Sequence, residues 1–341
     1  MTRSAPARWL LASVFALTLA GASLADNWPQ WRGPTNDGIC NETGLPTEWS
    51  ETKNIAWKLP MPAQAGSTPA VWGDRIFLTS EDGPQVALMC VSTQGKELWR
   101  KPMGKHNGQK YMSGEGNNAS ASPCTDGKHV WALDGAGDFV CYDFTGNQVW
   151  TFNVQDRYGQ IQRRQIQHGF HNSPVLDGDR LYVNLLHAGG WLVLAIDKMT
   201  GKEIWKHERK TDAYSENTQS YASPVIWRKG NEAFLVVHGN DYTTGHSLED
   251  GREIWRVADL NPQGSSYHPT LRFVSTPAVM EDMIVVPTAK TGLVMAVKPD
   301  IHGTIKKGDK GELWRAPGIT PDVSCPLVYD GCVYLCRDAG R

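Results

Sequence analysis

One phrase recurs along this chain at a nearly fixed interval: a glycine followed a few residues later by tryptophan. It reads QGKELW at 94–99, TGNQVW at 145–150, TGKEIW at 200–205, DGREIW at 250–255 and KGELW at 310–314. A second landmark, a small residue followed by proline, keeps the same beat at Thr68-Pro69, Ser122-Pro123, Ser173-Pro174, Ser223-Pro224, Thr276-Pro277 and Cys325-Pro326. Self-similarity at a period of about 50 residues restricts the chain to architectures in which one supersecondary unit is arrayed many times.

The interior of a unit says which one. In the third, SPVLDG, RLYVNLL, WLVLAID and KEIWKHE are short, rich in β-branched, leucine and aromatic residues, and separated by DGD, HAGG and KMTG turns. Proline opens the first segment, where a missing N–H is tolerated. No segment carries a 3.6-residue period. The expectation is an all-β protein, a β-propeller of four-stranded antiparallel blades, in which radial repetition protects the sheet edges. Five complete units and the start of a sixth are present. Asn54 to Met61 (NIAWKLPM) reads as a fourth strand around Trp57, without three strands before it, and the closing CVYLCRDAGR reaches the turn after a second strand. The reading is therefore a propeller over 54–341, incomplete at its C-terminus, a piece of a seven- or eight-bladed ring, after an N-terminal extension at 26–53.

The repeated residues have a structural assignment. Trp57, Trp99, Trp150, Trp205, Trp255 and Trp314 are expected to fill the widening gap between wedge-shaped blades, with Gly95, Gly146, Gly201 and Gly251 supplying the positive φ of the preceding turn.

The first 25 residues predict a compartment. Arg3 and Arg8 precede an uncharged run, Trp9 to Ala20, and Ser23-Leu24-Ala25 has the small residues of a cleavage site. This is the pattern of a signal peptide cleaved after Ala25, giving a periplasmic or secreted protein. No later stretch is apolar enough for a transmembrane helix. Without the leader's two arginines the chain has 32 basic and 36 acidic side chains, a formal charge of −4, which offers no field for nucleic acid. The seven cysteines follow the repeat register (Cys90 and Cys141 nine residues before a tryptophan, Cys325 before a proline) and are read as small packing residues; their spacings do not suggest a zinc site.

Candidate chemistry gathers in the connections between blades, where a rigid scaffold fixes exposed side chains. The most polar, QIQRRQIQHGFHNSP at 160–174, brings Arg163, Arg164, His168 and His171 together; Tyr267 and His268 sit in GSSYHPT, and Tyr221 precedes another proline strand. If the residues before each proline strand line a central channel, positions 113–118, 167–172, 217–221 and 268–272 form one concave site for a ligand or partner. His238 and His246 flank the GNDYTTG turn and are read as surface residues. The chain has no phosphate loop, G-x-S-x-G elbow or HExxH helix, and no residue is assigned a catalytic or metal-binding role.

AIDKMTGKEIW at 195–205 resembles the tryptophan-docking repeat of the pyrroloquinoline-quinone-like propeller family, matching it at Ala195, Asp197, Thr200, Gly201, Lys202 and Trp205. The leading NWPQWRGP at 27–34 is similar to secreted members of that family without an assigned function, and is expected to pack on the propeller rim as a tail. Besides that of the many exported members with no established activity, the resemblance implies two fates. One is a scaffold binding a protein or polymer partner, as in outer-membrane assembly lipoproteins, with no cofactor. The other is a quinoprotein dehydrogenase holding pyrroloquinoline quinone with calcium at the ring's centre. The adjacent-cysteine disulfide common in such dehydrogenases is absent and their calcium ligands do not map onto this sequence, so the scaffold is the preferred expectation.

Burying an indole removes ~150–250 Å² from water, worth at most about 4–6 kcal/mol. Trp205→Ala is therefore expected to lower the unfolding free energy by roughly 3–5 kcal/mol. A thermal melt identical to that of the parent would contradict the docking role.

Overall fold

A computed structural model describes residues 26–106, 116–161, 168–187 and 190–337. The signal segment, Arg163 and Arg164 lie outside them. Each complete unit forms one antiparallel sheet with its strands in chain order. Blade 1 comprises Ala70–Trp72, Arg75–Asp82, Gln85–Ser92 and Glu97–Lys105. Blade 2 comprises Cys124–Thr125, His129–Leu133, Asp138–Asp143 and Gln148–Asn153. Blade 3 is Val175–Asp177, Arg180–His187, Gly190–Asp197 and Glu203–Glu208, the four segments expected from its pattern. Blade 4 spans Val225–Val257, and blade 5 is built from Ala278–Val279, Ile284–Pro287, Val294–Val297 and Glu312–Ala316. A two-stranded sheet, Leu327–Tyr329 with Cys332–Tyr334, begins a sixth. Every first strand starts directly after the repeat proline.

The core lies between blades. Five apolar clusters each join neighbouring sheets; Trp131, Leu133 and Phe139 of blade 2, for example, pack with Leu181, Val183 and Leu194 of blade 3. The middle strands are apolar on both faces because each face meets another blade.

The glycine and the tryptophan of the repeat belong to different blades. Gly95, Gly146, Gly201 and Gly251 all have positive φ, and a Cβ added to them would lie 2.5, 3.2, 2.9 and 2.4 Å from the rings of Trp57, Trp99, Trp150 and Trp205. Each indole thus lies flat on the turn of the following blade, where glycine is required twice over, for its φ and for the missing side chain. The indole N–H groups of Trp57, Trp99, Trp150 and Trp205 donate to the carbonyls of Thr93, Phe144, Lys198 and Leu248 at 2.8–3.1 Å. Trp205 is 8% exposed, whereas Trp57 is 38% exposed. Trp314 is half-buried against the start of blade 6.

Two expectations need correction. Residues 54–61 are not a strand: with no neighbouring strand to pair with, their backbone is irregular although Trp57 is docked. Trp255 does not reach the turn glycine of the next blade. It is 1% exposed and folded onto its own sheet at Gly245, and its indole N–H has no hydrogen-bond partner. The cause is the fifth unit's longer turn. Residues 298–310 carry Gly303–Ile305 back to pair in parallel with Trp255–Val257, adding a fifth strand to blade 4. Gly311 consequently faces Ile301 and Ile305 instead of an indole.

Candidate functional site

The residue before each proline is more than a small landmark. The backbone N–H of Thr68 donates to Ser122 Oγ, that of Ser122 to Ser173 Oγ, that of Ser173 to Ser223 Oγ and that of Ser223 to Thr276 Oγ1, at 2.8–2.9 Å; the chain of bonds ends with Thr276 N–H on Cys325 Sγ at 3.2 Å. Each link joins a blade to the next. An amide buried there without an acceptor would cost ~1–3 kcal/mol, so the repeat carries Ser or Thr in five of six units.

These six residues line a central cavity of about 640 Å³, within the range of small-molecule sites. A second ring lies two residues earlier in each unit: Gly66, Ser120, His171, Tyr221, Val274 and Val323. Extended backbone turns alternate residues to one side, so the two-residue step puts both rings on the cavity wall.

Local structure sets the chemistry of this wall. The short helix Val154–Tyr158, capped by Asn153, leads the chain out of blade 2 toward His168 and His171. The two imidazoles each meet Tyr221 edge-on, at 5.7 Å between ring centroids. Tyr221 is oriented by its hydroxyl, which donates to Gln219 Oε1 at 2.7 Å, and by its amide on Phe273. Arg272, held in a left-handed conformation by its amide on Asn217 Oδ1, donates toward His168 Nε2 at 3.4 Å and pairs with Glu216 at 3.4 Å. Nε2 of His171 bonds the His168 carbonyl, and burial lowers the His171 pKa to about 4, so that imidazole is neutral at physiological pH.

The opposite end of the cavity is closed by the chain itself. Trp28 exchanges both backbone hydrogen bonds with Val71, the Pro29 carbonyl accepts from Thr125, and Gln30 Oε1 accepts from Leu176. Those three partners sit two residues after the repeat proline of blades 1, 2 and 3. Successive residues of NWPQWRGP thus bind successive blades, and Trp31 faces the cavity. The segment expected as a tail on the rim instead spans the centre of the ring.

Other sequence candidates lie elsewhere. Tyr267 and His268 are outside the cavity, in a lock between connections: Tyr267 stacks on Tyr214 at 3.9 Å and donates to Asp241 at 2.6 Å, and the His268 carbonyl accepts from Asn217 and Asn261. Burial and the Asp241 hydrogen bond push the Tyr267 phenol up to about 12. His238 and His246, expected at the surface, are fully buried. Their rings bond Thr243 and Thr244, and burial lowers both to about 3. Arg163 and Arg164 cannot be placed with the cavity, being outside the described residues. Gly116, Asn117, His168, His171, Tyr221 and Arg272 of the four expected segments do line it. The hydroxyl chain and Trp31 were missed: the signal for the first was the Ser/Thr preference, read as mere smallness, and the second has no repeat to betray it.

A family profile described as outer membrane protein assembly factor BamB matches residues 86–341. The chain is similar in fold to the crystal structure of BamB from Moraxella catarrhalis, with 15% identity and TM-score 0.55, over 82% of this chain and 72% of that one. It is also similar to quinohemoprotein alcohol dehydrogenase from Comamonas testosteroni, with 10% identity and TM-score 0.56, over 84% of this chain and 49% of that one. A europium-containing methanol dehydrogenase gives 10% identity and TM-score 0.51, over 74% and 51%. The chain therefore spans about half the length of either dehydrogenase. No curated protein matches it.

The lowered pKa of His171 makes a signed prediction. Its neutral form belongs to the fold, while in the unfolded chain it titrates near 6.5, so its contribution to stability is present above pH ~6.5 and is lost as pH falls toward about 4. The melting temperature of His171→Gln should therefore gain on that of the parent as pH is lowered from 7 to 4.5. A difference that stays constant across that range would contradict the assignment.

Proposed function

The chain belongs to the PQQ-like propeller family whose profile is described as outer membrane protein assembly factor BamB, and from that premise we propose that it is an exported, non-catalytic scaffold that binds a protein or polymer partner. Its contact surface is the open mouth of the central cavity. The observation that carries this reading is the asymmetry of the ring: one end is closed by NWPQWRGP, and the other presents His168, Tyr221 and Arg272 from consecutive connections. These side chains combine an aromatic face, imidazole and a guanidinium, the kind of adaptable, partly apolar anchors that dominate protein interfaces. No helix among the described residues is long and apolar enough to cross a membrane.

The quinone alternative was tested against the donor set. Calcium takes six to eight oxygen ligands, with carboxylates prominent. Among the described residues the cavity wall offers one carboxylate, Asp322, beside the hydroxyls of Ser122, Ser173, Ser223 and Thr276, which already accept the inter-blade amides. Among the described residues no group of three His, Cys, Asp or Glu side chains is placed to hold a metal. The donors among the described residues do not match a calcium-bound quinone, which supports the scaffold reading.

Replacing His168, His171 and Tyr221 together by alanine should reduce at least about tenfold the amount of a specific protein or polymer recovered from envelope extract on the immobilised protein, with the fold retained by circular dichroism. Equal recovery of the same species would contradict the proposed surface. Saturable quenching of tryptophan fluorescence by micromolar pyrroloquinoline quinone with Ca²⁺, together with dye reduction in the presence of alcohols, would overturn the scaffold reading in favour of the enzyme.

A further inference from the structure

The sixth unit departs from the hydroxyl chain. Where five units carry Thr68, Ser122, Ser173, Ser223 and Thr276, the sixth carries Cys325, half-exposed on the cavity wall. Its Sγ already accepts the Thr276 amide at 3.2 Å. A second, independent feature lies beside this residue. Arg32, from the segment that closes the ring, donates through Nη2 to the carbonyls of Pro326 and Asp37 at 2.9 and 2.8 Å, which clamps it beside the residue following Cys325. The side chain is 9% exposed and its Nη1 is buried with no hydrogen-bond partner. Burial lowers the Arg32 pKa from its ordinary value, with Cys325 and Asp37 acting in the opposite direction. A buried guanidinium served by carbonyls alone lacks a full counter-charge, and a thiolate at Cys325 supplies one.

We propose that Cys325 is a covalent modification site, a nucleophilic thiol at the closed end of the cavity that takes small anionic disulfides as mixed disulfides. The Cys325 thiolate attacks one sulfur of the incoming disulfide. A new S–S bond forms at Cys325 as the old one breaks; the departing thiolate takes up the equivalent of the proton that Cys325 gave to solvent. Cys325 is oxidised and the leaving thiol is the reduced product. The cavity of about 640 Å³ has room for the adduct. The buried cysteines face the inter-blade cores instead. Burial pushes Cys90 up to about 11, Cys141 to about 12 and Cys124 well above its ordinary value, which leaves them protonated and unreactive.

The test uses the full protein carrying Cys40→Ser, Cys332→Ser and Cys336→Ser, which removes the exposed thiols. Its reaction at pH 7 with 5,5′-dithiobis(2-nitrobenzoate), an anionic disulfide, and with neutral iodoacetamide is followed and mapped by mass spectrometry. The expected result is modification of Cys325 in the native state, at least about fivefold faster with iodoacetamide than for N-acetylcysteine amide. Adding Arg32→Gln should slow it roughly tenfold, and Arg32→Lys should recover most of the rate. Failure of Cys325 to react before denaturation, or a rate no faster than the free thiol, would overturn the proposal. So would an unchanged rate in a folded Arg32→Gln variant. If Arg32→Gln does not fold, the comparison with the free thiol on the Arg32-containing protein decides.

Discussion

A single backbone amide, the one belonging to the residue before each proline, holds this ring together at its centre. That residue lies before the first strand, which begins just after the proline, so its N–H takes no part in its own sheet. Its donor is carried across to the next blade, where the side chain of the equivalent residue accepts it. The same residue gives an acceptor to one neighbour and its amide to the other, so the pattern propagates without any long-range element. Farther out, the repeat acts again in the same sense: the indoles of Trp57, Trp99, Trp150 and Trp205 reach forward to the turn glycine of the next blade and donate to a backbone carbonyl there. Between the two lies the apolar packing of the blade faces.

The central hydrogen bonds also determine what the middle of the ring can be. They consume the hydroxyl groups that face the cavity, which leaves its chemistry to the residues two positions earlier. Four of those positions carry Gly66, Ser120, Val274 and Val323, and two carry His171 and Tyr221. The functional asymmetry of the ring therefore comes from a few unlike residues at equivalent places, with His168 and Arg272 added from the connections. The N-terminal segment uses the same geometry from the other side, binding blades 1 to 3 with one residue each.

Most features written once per blade were legible in the sequence; the hydroxyl chain, whose Ser/Thr preference passes for mere smallness, was not. The strand limits of blade 3, the proline at each strand start and the pairing of a glycine turn with a tryptophan all follow from the period. Features that occur once were not. Trp255 carries the same local sequence as Trp205, yet its target turn is displaced by residues 298–310, a tertiary effect that its own neighbourhood does not reveal. NWPQWRGP has no internal period, and its partners lie 43 to 294 residues away. His238 and His246 are short-range deceptions: a turn sits between them, but the strands that carry them are sandwiched between blades and each ring bonds a threonine hydroxyl there. Tyr267 and His268 belong to a polar lock whose members, Asn217, Asp241 and Asn261, are far apart in the chain.

The central claim is that the amide-to-hydroxyl chain couples the blades, and equilibrium denaturation of Ser223→Ala tests it most directly. The substitution removes the acceptor of the Ser173 amide and leaves the backbone and the apolar packing in place. A loss of ~1–3 kcal/mol within a single cooperative transition is the predicted result, the cost of a buried donor left unpaired. Stability within about 0.5 kcal/mol of the parent, the range of ordinary surface substitutions, would mean that the blades are held by the tryptophans and the apolar faces alone.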